Sequence, residues 1–231
     1  AHIAAAKPRE ALSTRPRRRP GESLQTIAVA NFKGGSAKTT TTIHLAQYLA
    51  LRGYRVLALD LDPQASLTAM LGIQPEFDVG EGETVYGAIR YDAARKPLSA
   101  IIRKTYFHGL DLVPGNLELM EFEHETPQAL LAGQRPSGGL FFQRLGQAIA
   151  EVEADYDVVL IDCPPQLGYL TLGAVCAATA LLITIHPQMV DVASMSQFLL
   201  MAADLMAVVR KAGGDLSHDF VRYVVTRHEP H

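Results

Sequence analysis

Residues 26–40 read TIAVANFKGGSAKTT, and they decide the fold. An apolar, β-branched run (26–31) passes into Phe32-Lys33-Gly34-Gly35-Ser36-Ala37-Lys38-Thr39-Thr40, and a helical pattern over 38–52 begins at once. Strand, glycine-rich turn and helix N-terminus is the context a phosphate-binding loop requires. Gly34 and Gly35 let the backbone turn its N–H groups toward phosphate oxygens, Ser36 and Ala37 complete the turn, and Thr40 continues into the helix. Lys38 is placed to reach β- and γ-phosphates and the Thr39 hydroxyl to bind Mg²⁺, so the loop predicts ATP and Mg²⁺ as cofactors. The positive end of the helix dipole falls at the same point.

Outward from that loop, apolar runs alternate with helical patterns. Strands are predicted at 26–31, 55–61, 110–113, 157–162, 180–185 and 220–226, mostly as unbroken apolar runs, which marks strands buried on both faces. Helices are predicted at 38–52, 84–91, 116–131, 140–153, 169–178 and 190–212, with Gly53 and Gly213-Gly214 as stops. Stretches 72–83 and 134–139 read as loops. The alternation predicts an α/β fold: an open, mostly parallel twisted sheet with helices on both faces.

Two further blocks belong with the loop. Asp60-Leu61-Asp62-Pro63-Gln64 ends the second strand, at the sheet edge where α/β proteins bind ligands. Two carboxylates two residues apart point the same way. One can support Mg²⁺ and its waters, the other can orient an attacking water. Val158-Val159-Leu160-Ile161-Asp162-Cys163-Pro164-Pro165 is an apolar strand that sets a carboxylate, Asp162, beside a magnesium ion. The metal residues expected are Thr39, Asp60 and Asp162.

The loop departs from GxxxxGK[ST]: Phe32 and Ala37 stand at two glycine positions, and Lys33 precedes the glycine pair. KGGxxK[ST], DxDPQ and DCPP together resemble the ParA/MinD-type deviant Walker ATPases. The blocks LAQYLALRGYRVL, LDLVPGNLELMEFEHETP and HPQMVDVASMSQFLLM are similar to the RepA-type partition ATPases of repABC plasmids, over residues 24–231. The resemblance implies a catalytic set of Lys33, Lys38 and Asp62. Lys33 would reach the other subunit's phosphates in a nucleotide-sandwich homodimer, Asp62 would activate water, and Asp60 would support it. It places the adenine near Thr226 and Arg227. It further implies non-specific DNA binding, a ParB/RepB-type centromere-binding partner, no membrane, and a cytoplasmic, nucleoid-associated location. The alternatives are a MinD-like membrane-cycling ATPase, or a catalytically impaired DNA-binding or autoregulatory module on account of Ala37.

The chain has 231 residues, 48% apolar and 19% charged, enough apolar material for a core and too much for a disordered chain. No run approaches the ~18–20 apolar residues of a membrane span. Two cysteines exclude a disulfide scaffold. Cys163 and Cys176 read as small buried residues. The eight histidines lack paired metal spacing. His44 falls among core positions Ile43 and Leu45. Met189, Met195, Met201 and Met206 read as helix packing. Lys7, Arg9, Arg15, Arg17, Arg18 and Arg19 against Glu10 leave residues 1–20 at +5 and the remainder at −8. Residues 1–23 therefore read as a basic linker or arm, a solvated tether or a phosphate-contacting one, before an ATPase body over 24–231. The missing initial Met, and an end just after a strand that reads as buried, suggest a piece of something longer.

Overall fold

The computed structural model describes residues 22–31, 35–131, 139–186, 200, 203–204, 206–207, 209–213 and 217–226. Among them seven strands form one sheet: β1 (Gln25–Ala30), β2 (Val56–Asp60), β3 (Arg103–Lys104), β4 (Leu110–Val113), β5 (Val158–Asp162), β6 (Ala180–Ile185) and β7 (Phe220–Val225). Their order is β3-β4-β2-β5-β1-β6-β7. Every pairing is parallel except β3 with β4.

The helices are α1 (Lys38–Leu51), α2 (Ser66–Met70), α3 (Pro75–Asp78), α4 (Val85–Ile89), α5 (Leu119–Leu131), α6 (Phe141–Ala150) and α7 (Tyr169–Ala177), with a 3₁₀ turn at Leu98–Ala100. They cover both faces because the strands are apolar on both. Val56 and Ala58 of β2, with Val158 and Leu160 of β5, join Ile43, Ala46 and Ala50 of α1 and Leu67 of α2 in one cluster. Leu57 and Leu59, with Val159 and Ile161, join the larger cluster under α4, α5, α6 and α7. A strand's side chains alternate faces. Asp60 and Asp162, each ending an even-numbered series, therefore fall on the α1 side, and the register pairs them directly.

Several expectations are corrected. The loop predicted over 72–83 contains α3, and α2 and β3 were not foreseen. The strand at 220–226 reads as buried, yet among the described residues β7 is an edge strand paired only with β6, and Val221, Tyr223 and Val225 are exposed on it. The loop at 134–139, the arm and most of the helix at 190–212, with Met189, Met195 and Met201, lie outside the described residues. Met206 packs against the core. Cys163 is fully buried, as read, whereas Cys176, also read as buried, is half-buried. Among the described residues no helix is long and apolar enough to cross a membrane.

Candidate active site

The first strand delivers the chain to a turn at the sheet's carboxyl edge. Gly35 (φ 74°) and Ala37 (φ 64°, ψ 29°) both take the left-handed conformation. Glycine does so freely, whereas Ala37 carries a Cβ that disfavours it. Ala37 caps α1, its carbonyl accepting from Thr41 N–H at 2.9 Å. No side chain caps the start of this helix and its first turn holds no acidic residue. Its leading N–H groups and dipole thus face a cavity of about 640 Å³, a setting suited to an anion. Gly35, Ser36, Ala37, Lys38, Thr39, Thr40, Asp62 and Thr226 line that cavity. Lys33, Gly34 and Arg227 lie outside the described residues.

The predicted residues that are described line the cavity, except the fully buried Asp60 and Asp162. Thr39 hydrogen-bonds Asp162, and Thr42 Oγ1 bridges the Lys38 carbonyl (3.0 Å) and Asp162 Oδ1 (3.3 Å). Asp60 does not reach the cavity. It is fully buried, its Oδ2 accepting from Thr68 N–H (2.8 Å) and Thr68 Oγ1 (2.7 Å), and its Oδ1 from Asp62 N–H at 3.2 Å. In this arrangement both Asp60 oxygens are taken up in bracing the Asp62 turn and α2. Asp62 itself is half-buried, and its Oδ1 accepts from Gln64 N–H at 3.0 Å.

The electrostatics are those of a site short of positive charge. Burial raises Asp162 to about 7, and the Asp60 carboxyl pushes the same way, against the Thr39 hydrogen bond and the Lys38 charge. Burial raises Asp60 to about 6 against the Thr68 hydrogen bonds. Burial also lowers Lys38, opposed by Asp162. Asp162 Oδ2 is buried without a hydrogen-bond partner. A carboxylate oxygen in that state beside the Thr39 hydroxyl is a hard-oxygen donor set that suits magnesium. Among the described residues no three His, Cys, Asp or Glu side chains cluster to hold a metal alone. A magnesium ion held by these residues would need further oxygen ligands from a bound phosphate or water.

The raised Asp162 carboxyl has a testable consequence for the metal-free protein. Its folded value of about 7 exceeds the ~3.9 of an unfolded aspartate, so the folded state binds the extra proton. Its contribution to stability is complete below ~4 and is lost as pH rises through about 7. Asp162→Asn, which mimics the protonated carboxyl, should exceed the parent's stability by on the order of 1–2 kcal/mol at pH 5 and by on the order of 4 kcal/mol at pH 8. Melting curves without metal at both pH values check this; equal offsets would contradict it.

Sequence reasoning missed five lining residues: Thr41, His44, Ser66, Met70 and Pro165. His44, read among core positions, is exposed. The signal was present, since 40 and 44 share a helix face. Ser66 and Met70 belong to α2, which is too short to show a helical period.

With that geometry in hand, comparison with known proteins decides the family. The family described as an AAA domain matches residues 24–212. This chain belongs to the ParA family. Among its relatives, the protein named "Putative replication protein A" of Rhizobium rhizogenes is 59% identical over 215 residues, 93% of this chain and 53% of that protein. The chromosome-partitioning ATPase Soj of Treponema pallidum is 34% identical over 166 residues, 70% of this chain and 57% of that protein. This ParA-family chain spans about half the length of these curated relatives. Its fold is similar to the crystal structure of cobyrinic acid a,c-diamide synthase from Mycobacterium smegmatis with bound ATP analog and magnesium. The TM-score is 0.71 at 30% identity, over 89% of this chain and 77% of that one.

Proposed function

We propose that this chain is the nucleotide-binding body of an ATP-dependent DNA-partition ATPase. Lys38, Thr39 and Asp62 lining one cavity at the sheet's carboxyl edge, with Asp162 buried directly against Thr39 and Lys38, carry the reading. Lys38 and the N–H groups opening α1 hold the β- and γ-phosphates. Thr39 and Asp162 hold Mg²⁺, which when bound draws charge from the phosphate oxygens. Asp62, on a turn braced by Asp60, orients the attacking water. The Rhizobium and Treponema names support a role in replicon maintenance, and the synthase title supports ATP and magnesium.

In the ATP state two copies close on two nucleotides, with Lys33 of each reaching the other's phosphates. The dimer binds DNA without sequence preference, and a ParB/RepB-type protein stimulates hydrolysis and release. Residues 1–23 are a basic linker before the ATPase body. The protein acts in the cytoplasm, at the nucleoid.

Sedimentation with a non-hydrolysable ATP analogue and Mg²⁺ tests the assembly. A dimer is expected for the parent and a weakened one for Lys33→Ala, while monomer nucleotide affinity is spared. An undiminished dimer in that variant would sink the role in trans. DNA binding should require the dimer and fall steeply with salt, since phosphate contacts release counterions.

The left-handed Ala37 favours a second reading, in which the same site works below its capacity. A Cβ there strains the loop where it passes the β-phosphate, at a cost of roughly 1–3 kcal/mol. Ala37→Gly should then tighten nucleotide binding and raise turnover.

A further inference from the structure

One residue of the phosphate loop is gripped from two strands. Ser36 is buried, with its Oγ 3.1 Å from Thr184 Oγ1, and its carbonyl accepts from Thr226 Oγ1 at 3.2 Å. Neither holder is loose. Thr184 is fully buried in β6, and its carbonyl accepts from Asn31 Nδ2 at 2.5 Å. Thr226 follows β7, and its N–H donates to the Ile185 carbonyl at 2.8 Å. Residues from β6 and the end of β7 therefore meet on Ser36, and Asn31, after β1, ties Thr184 in place. The residue that follows, Ala37, holds the left-handed backbone that its Cβ disfavours by roughly 5- to 30-fold in population.

We propose that Thr184 and Thr226 are positioning residues of the phosphate loop: by holding Ser36 at its hydroxyl and its carbonyl, they keep Ala37 in the left-handed conformation in which the loop receives phosphate. This rests on the nucleotide-binding reading. A loop with alanine at 37, left to itself, divides between left-handed and relaxed backbone, and only the first presents the turn. Apparent affinity falls by the fraction that is competent. A grip on the preceding residue raises that fraction, because tilting the Ser36–Ala37 peptide breaks the Thr226 hydrogen bond to the Ser36 carbonyl, and the Thr184 hydrogen bond to Ser36 Oγ resists the shift of the whole residue that would spare it. A glycine at 37 needs no such help, since it takes positive φ at no steric cost. The grip should therefore matter when alanine is present and fade when glycine replaces it.

A merely structural Thr184 would not behave so, which makes a double-mutant cycle the test. Binding of a fluorescent ATP analogue with Mg²⁺ is measured for the full chain as parent, Thr184→Val, Ala37→Gly and both together, with Thr184→Ser as the rescue. Melting without nucleotide reports the fold of each. Valine keeps threonine's shape and loses its hydroxyl. Thr184→Val should weaken the analogue about 3- to 10-fold beside Ala37 and less than about twofold beside glycine. Thr184→Ser should stay within about twofold of the parent, the hydroxyl being kept. Should Thr184→Val fail to fold, Thr226→Val runs the same cycle at a half-buried position. An equal loss in both backgrounds, or no rescue by serine, overturns the positioning role while leaving the nucleotide site standing. No binding by any of the proteins, Ala37→Gly included, overturns both.

Discussion

Lys38→Ala should weaken ATP binding by about 100- to 1,000-fold and leave the fold intact. Lys38 is the one lysine or arginine among the described residues lining the cavity. It is buried, so its charge is poorly screened and its contact with phosphate is strong. Removing one partner of a buried, hydrogen-bonded charge pair costs about 3–5 kcal/mol, because the other charge is left uncompensated. The metal-free protein tolerates the change better than the complex does. Burial already disfavours the Lys38 charge, although Asp162 partly offsets this. Calorimetric titration with an ATP analogue checks the affinity, and a melting curve checks the fold. An affinity within about threefold of the parent would remove Lys38 from the phosphates and with it the reading of the loop.

Asp62→Ala should bind nucleotide within about threefold of the parent and hydrolyse it about 100- to 1,000-fold more slowly. A positioned acid–base group contributes about 10²–10⁴ to a rate, and an interaction made only in the transition state leaves ground-state binding alone. The turn complicates the alanine variant, since Asp62 Oδ1 also accepts from Gln64 N–H. Asp62→Asn separates the two roles. It keeps an acceptor for Gln64 and loses the carboxylate charge, so it should be as slow as alanine. Activity near the parent's in Asp62→Asn would make the side chain a turn former only. Loss of binding in Asp62→Ala would move it into the metal shell. Single-turnover hydrolysis and equilibrium binding measured together distinguish these results.

The parts of the site that follow from local chemistry are legible in the chain. The strand, glycine pair and lysine of residues 26–40 mark the loop, and four apolar residues ending in Asp162 mark the strand-end carboxylate beside it. Both signals are contiguous, and strands buried on two faces announce themselves by unbroken apolar runs. Asp60 and Asp62 look equivalent in sequence. Only burial and the Thr68 hydrogen bonds, made eight residues away, separate the brace from the carboxylate in the cavity. Ser36 meets Thr184 and Thr226 across 148 and 190 residues, and no periodicity carries such a contact. The two-residue β3 and the five-residue α2 are too short for a pattern to show. The left-handed Ala37 lies between these cases. Its place at a glycine position in the motif points to positive φ, and the structure places it there.

The central claim is that the cavity at the head of α1 takes a nucleoside triphosphate with magnesium, Asp162 and Thr39 providing the metal's protein ligands. Titration of the full chain with an ATP analogue, with and without Mg²⁺, followed by the same pair of titrations on Asp162→Asn, tests it most directly. The account predicts one nucleotide per chain, tighter binding with Mg²⁺ for the parent, and loss of most of that gain in Asp162→Asn. Binding that ignores Mg²⁺, or a magnesium gain unchanged in Asp162→Asn, would contradict it.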